Sequence, residues 1–158
     1  MKTISFIIPC YNSEDTIRSV VDEIESTVET LDVEDYEVIL VNDSSPDNVL
    51  SVIRSICESN PRVRGIDLAK NFGQHSAMMA GMKIARNDIV IILDDDGQTS
   101  VEEVGKLLDA LDDCDIVFAK YDSKKHKVWR NIGSKINDVM AELLLGKPRD
   151  LSVSSYMA

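Results

Sequence analysis

The sequence predicts an α/β fold, a mostly parallel central sheet with helices on both faces. Three observations predict it. Short, almost uninterrupted apolar runs recur along the chain, as strands buried on both faces require. Between them lie segments with apolar residues three and four apart, the period of an amphipathic helix. Several of the runs also end in polar clusters, and open α/β sheets bind ligands outside the carboxyl ends of their strands.

Ile4 to Pro9 is the first apolar run. A helix is expected from about Ser13 to Leu31, because Ile17, Val20, Val21, Ile24 and Val28 fall on one face. Ser13 is its candidate N-cap, and Asp15 in the first turn suits the helix dipole. Glu37 to Val41 is the second strand. Asp43 or Ser45 then caps a helix with Pro46 near its first turn and Val49, Val52, Ile53 and Ile56 facing inward. Arg62 to Leu68 is a third strand. A turn at Asn71-Phe72-Gly73 leads into an Ala- and Met-rich helix ending near Arg86-Asn87, with Met78, Met79 and Met82 filling the core. Residues 88–94 form the fourth strand, residues 100–111 another helix, and Asp115 to Ala119 a fifth strand. Repetition of strand, helix and strand implies a Rossmann-like sheet with right-handed crossovers.

At 158 residues the chain is one domain, residues 1–158, large enough for a core of its own. A net charge of −11 argues against a nucleic-acid backbone or an anionic membrane surface as its partner. Cys10, Cys57 and Cys114 lie far apart without metal-ligand spacing, which reads as reduced, buried thiols of a cytoplasmic protein. Lys2 alone precedes an apolar stretch that Pro9 interrupts, so no signal peptide is expected. No run of 18 apolar residues exists to span a bilayer. The chain is expected to be the N-terminal part of a longer protein whose acceptor-side and membrane-contacting segments lie beyond it; homo-oligomers are possible.

Asp94-Asp95-Asp96 closes the run Ile89 to Leu93. On a strand, residues two apart share a face, so Asp94 and Asp96 converge and Asp95 points away. Neighbouring carboxylates repel, and the repulsion needs an offset. A shared proton supplies one; a divalent cation, Mg²⁺ or Mn²⁺ bridged to substrate phosphates, suits two hard oxygen ligands better. The bland alternative is a solvated acidic turn. Residues 120–135 hold the basic stretch of this acidic chain: Lys120, Lys124, Lys125, His126, Lys127, Arg130 and Lys135. It reads either as a solvated helix face or as a mobile basic lid that meets a polyphosphate.

These segments together resemble the family 2 glycosyltransferases of the A-type nucleotide-sugar fold. The resemblance is carried by Ile4 to Glu14, Val41 to Asp47, Asn71-Phe72-Gly73 with Ala77 and Gly81, and Leu93 to Gln98. The Asn-Phe-Gly segment and Gln98 look most like the branch acting on polyprenyl phosphates. The resemblance implies a metal-dependent inverting transfer from a nucleotide-diphosphate sugar to an acceptor, polyprenyl phosphate or a cell-surface glycan, at the cytoplasmic face of a membrane. It places Pro9, Tyr11 and Glu14 around the nucleoside and Asp43 on the base. A stacking ring and an acceptor for a base N–H fit those roles. Tyr11 can equally be a core tyrosine, and Asp43 a helix cap. Asp94 and Asp96 match the metal motif, joined by Gln98. Asp95 stands where the family has a small residue and adds negative charge beside the metal; it is counted with the donor-binding residues. Asn71 and Gly73 border the sugar or nucleotide; without the resemblance they are a turn needing Gly at positive φ. Arg130 holds the diphosphate. Lys120 stands where the family has arginine, giving a point charge in place of a bidentate contact. Asp150 matches an acceptor-side catalytic position. His75, at a helix start, is read as structural or solvent-facing in place of catalytic.

The rivals are a binding or assembly subunit of the same fold, an aspartate-nucleophile phosphatase and a phosphoacceptor receiver domain. The last two place their acids at the end of the first strand, where this chain has Pro9-Cys10-Tyr11.

Overall fold

A computed structural model describes residues 2–97, 101–111, 114–119 and 157–158. Four strands, β1 (Lys2–Cys10), β2 (Val33–Asn42), β3 (Val63–Asp67) and β4 (Ile89–Ile92), form one parallel sheet in the order β3-β2-β1-β4. Helices α1 (Ile17–Val28), α2 (Val49–Ser59), α3 (Gln74–Ile84) and α4 (Val104–Ala110) connect or follow them, with a 3-10 turn at Val101–Glu103. The chain winds outward from β1 to β3, then returns to place β4 on the other side of β1. With right-handed crossovers, that reversal sends α3 to the face opposite α1 and α2.

The packing shows this division. Ile4, Phe6 and Ile8 of β1 and Val38 and Leu40 of β2 meet the inward stripes of α1, α2 and α4. Ile7, Ile39, Val41 and Ile92, the alternate positions, meet Ala77 and Met78 of α3. The third helix lies so close to the sheet that a Cβ on Gly81 would stand 2.4 Å from Ile7 Cγ2. Glycine there is a packing requirement.

Away from the ligand-binding strand ends, a polar network fixes α3 to the sheet. Buried Glu37 accepts hydrogen bonds from Ser5 Oγ (2.8 Å), Arg64 Nη1 (2.9 Å) and the Arg86 N–H (2.8 Å). Arg64 also donates to the Ile84 carbonyl, an otherwise open acceptor at the end of α3.

The structure corrects several expectations. The first helix starts at Ile17, with no side-chain cap and no acid in its first turn, because residues 14–16 form a separate turn hydrogen-bonded to the Ser13 carbonyl. The second helix starts at Val49, so Asp43 is not its cap. Of the α3 methionines only Met78 is buried; Met79 is exposed, and Met82 is exposed at a groove it lines with Ile89, Val90 and Ile92. Cys10 is buried, but Cys57 is half-buried and Cys114 exposed. A fifth parallel strand at 115–119 does not form among the described residues. Met157 bridges Ile92 and Phe118 in antiparallel sense, so it is a residue distant in sequence that pairs with β4.

Burial alone would raise the Glu37 carboxyl; its bonds to Arg64, Ser5 and Arg86 outweigh that and hold it below its ordinary value of 4.5. Its contribution is therefore present above pH 4.5 and lost as pH falls through the lowered value. Urea unfolding of wild type and Glu37→Gln should differ by about 3 kcal/mol near pH 7, the gap narrowing on acidification below that point. A gap independent of pH would contradict this role.

Candidate active site

Two backbone features shape the ends of β1 and β2. Asn12 and Ser44 both adopt left-handed conformations, φ 56° and 51°, which side-chain-bearing residues adopt at a cost of about 1 kcal/mol or more. Each lies two residues after its strand and turns the chain sharply. The two loops then grip one another. The Asn12 N–H donates to Ser45 Oγ, the Glu14 N–H to Asp47 Oδ2, and the Asn48 N–H to Glu14 Oε2. Ser45 Oγ donates to Asp47 Oδ1 at 2.6 Å.

Asp43 sits between them and is only 3% exposed. Its Oδ1 accepts the Phe72 N–H and its Oδ2 the Gly73 N–H, both at 2.8 Å. The acid at the end of β2 thus anchors the loop after β3. Gly73, at φ 87°, turns that loop into α3, and its conformation excludes a side chain although the space beside it is open.

The acidic triplet lies beyond β4, which ends at Ile92, so strand alternation no longer governs it. All three carboxylates border one cleft. Asp95 does not point away: its Oδ2 accepts the Tyr11 N–H at 2.8 Å, and its carbonyl accepts from Thr16 Oγ1. Burial raises the Asp95 carboxyl above its ordinary value, and the charge of Asp94 adds to the rise. Asp94 Oδ1 accepts from Gln74 Nε2 at 3.0 Å, while Asp96 is exposed.

The resulting cleft, about 480 Å³, is lined by Pro9, Tyr11, Asp43, Asn71, Gln74 and the triplet. It spans the carboxyl ends of β1, β2 and β4, beside the strand where the winding reverses. Tyr11 is 47% exposed, which excludes a core role and leaves a ring face for a planar ligand. Cys10 also lines the cleft, but burial pushes its thiol far above the ordinary range, so it is no nucleophile there. A second groove of about 350 Å³ lies between α2 and β3, along the edge of the sheet and away from these convergent acids.

Among the described residues, no three His, Cys, Asp or Glu side chains gather as a metal site. Asp94 and Asp96 nonetheless offer hard oxygen donors at the mouth of a polar cleft. That set fits Mg²⁺ or Mn²⁺, which bind through one or two carboxylates and complete their shells with phosphates and water.

Of the residues singled out from sequence, Pro9, Tyr11, Asp43, Asn71, Asp94, Asp95 and Asp96 meet in the cleft. Glu14 does not line it and instead joins the two loops beneath. Gln98, Lys120, Arg130, Asp150 and the basic stretch 120–135 lie outside the described residues. His75 is exposed, which fits the solvent-facing of its two readings. Gln74 was missed, because its contact with Asp94 joins positions 20 apart that no local pattern relates.

The family described as glycosyl transferase family 2 matches residues 5–152. The chain belongs to that family. It is 33% identical over 138 residues to the undecaprenyl-phosphate 4-deoxy-4-formamido-L-arabinose transferase of Aeromonas hydrophila, covering 86% of this chain and 42% of that one. It spans less than half the length of the curated relatives it matches. Among solved structures, S. aureus TarS residues 1–349 superpose with a TM-score of 0.58 at 25% identity, over 80% of this chain and 37% of TarS. Glucosyl-3-phosphoglycerate synthase from Mycobacterium tuberculosis, solved with Mn²⁺, UDP-glucose and phosphoglyceric acid, gives 0.69 at 20% identity. That match covers 99% of this chain and 55% of the synthase, a likeness of fold. The A-type nucleotide-sugar fold expected of a family 2 member is therefore the fold observed.

Asp43→Asn keeps the size of the side chain but leaves one carbonyl oxygen for two N–H groups. It should lower unfolding free energy by about 1–3 kcal/mol in urea titrations, and hydrogen exchange at Phe72 and Gly73 should quicken. Unchanged stability and exchange would show that the anchor is dispensable.

Proposed function

We propose that this chain is the donor-binding part of a metal-assisted, inverting glycosyltransferase. It would move a sugar from a nucleotide diphosphate to a polyprenyl phosphate at the cytoplasmic face of a membrane. The observation that carries the reading is the single cleft in which an exposed aromatic ring, an anchored acid and an acidic triplet meet at three strand ends. Family membership supports the reaction class, and the name of the A. hydrophila relative supports the acceptor.

In this reading Tyr11 stacks on the base and Asp43 accepts from it through lone pairs left over from its two backbone bonds. Asp94 and Asp96, joined by Gln98, hold the cation, which when bound neutralises charge on the leaving diphosphate. Arg130 and Lys120 add cationic hydrogen bonds to that same group. The acceptor's phosphate oxygen attacks the anomeric carbon as the bond to the diphosphate breaks, and configuration inverts. That oxygen is already anionic, so little general-base help is required; Asp150 is assigned to the acceptor side only by its resemblance to an acceptor-side family position. No helix among the described residues is long and apolar enough to cross a membrane.

Calorimetric titration of the chain with UDP and with GDP, each with and without Mn²⁺, tests the donor half. Binding of one nucleotide should strengthen at least about tenfold with Mn²⁺, and Asp96→Ala should abolish that gain. Absence of metal-dependent binding to either nucleotide would count against the assignment. In the full-length protein, loss of sugar transfer in Asp96→Ala separates an enzyme from a non-catalytic assembly subunit.

A further inference from the structure

The beginning of α3 is held more firmly than a helix start near a surface needs to be. Both oxygens of buried Asp43 bind the N–H groups of Phe72 and Gly73, and Gly73 makes the turn at φ 87°. On the far side, Gly81 lets the helix lie directly on Ile7. The backbone of Gln74, the first residue of α3, is therefore fixed from below and behind before any ligand arrives. Its side chain reaches across the cleft to the tip of β4, where Nε2 donates to Asp94 Oδ1 at 3.0 Å. Asp94 needs such a restraint. It lies past the end of its strand and beside two further carboxylates, whose repulsion favours splayed conformations.

We propose that Gln74 is a positioning residue that holds the Asp94 carboxylate in the orientation a divalent cation requires. The inference rests on the reading of Asp94 as a cation ligand. The choice of an amide has a chemical logic. A lysine or arginine here would orient the carboxylate but also neutralise it, competing with the cation for the same charge. An amide N–H donates one hydrogen bond and adds no charge, so the carboxylate keeps its full negative charge for a metal. Groups of this kind behind a metal ligand commonly contribute 10- to 100-fold in metal affinity. The Asp43 anchor extends the effect: the acid at the end of β2 sets the position of Gln74, and through it the acid at the end of β4. Base and cation would thus be recognised by parts of one hydrogen-bonded frame.

The test is Mn²⁺ affinity of the chain in saturating UDP or GDP, read from the electron paramagnetic resonance signal of free Mn²⁺. Gln74→Met keeps the length of the side chain and removes the donor; Asp94→Asn tests the ligand itself, and exposed His75→Ala is the control on the same turn. We expect Gln74→Met to weaken Mn²⁺ about tenfold, with thermal midpoint and metal-free nucleotide affinity unchanged and His75→Ala at wild-type affinity. Should Asp94→Asn weaken Mn²⁺ while Gln74→Met leaves it unchanged, the positioning role is overturned and the cation-ligand reading stands. Should Asp94→Asn leave Mn²⁺ affinity unchanged, the ligand reading fails and the role of Gln74 with it.

Discussion

One buried carboxylate joins the separate parts of this site. Asp43 has little contact with water, and a buried acid is tolerated only when its oxygens are hydrogen-bonded. It meets that requirement by taking two backbone N–H groups from the loop after β3. A carboxylate held in this way stays ordered without a ligand, and it orders the loop in return. The positions of Asn71, Gly73 and Gln74 on the cleft wall follow from that exchange. So does the direction in which α3 leaves the loop.

The acidic triplet poses the opposite problem: too many like charges at one point. The structure divides them by role. Asp95 is drawn inward and bonded to the Tyr11 backbone, which ties the tip of β4 to the tip of β1. Asp94 meets the neutral amide of Gln74, and Asp96 is exposed at the mouth. One acid of the three thus ties two strand tips together, and the other two border the cleft as hard oxygen donors. Strain at Asn12 and Ser44 serves the same end, turning each loop away sharply enough to leave that space open.

Most of the architecture was legible in the sequence. Buried parallel strands leave continuous apolar runs, and amphipathic helices leave a 3- to 4-residue period; both are local signals and both survived. The strand tips were legible too, since polar clusters after apolar runs mark the ligand end of an open sheet. What was hidden is non-local. No pattern announces that Met157 inserts between Ile92 and Phe118, or that Glu37, read as the first residue of a strand, is a buried hub for Ser5, Arg64 and Arg86. Asp95 was misassigned because alternation was carried past the end of the strand. Nor does any local pattern show that Glu14 joins two loops through Asp47 and Asn48.

The central claim is that base, diphosphate and cation share one rim formed by the tips of β1, β2 and β4. Paramagnetic broadening of backbone amide resonances by Mn²⁺ with a nucleoside diphosphate bound tests it most directly, because it falls off steeply with distance from the metal. The account predicts broadening centred on Tyr11, Gly73, Gln74 and Asp94 to Asp96, with Gly65 and Ile66 in the α2–β3 groove unaffected. Broadening centred on that groove, or spread evenly over the acidic surface, would contradict it.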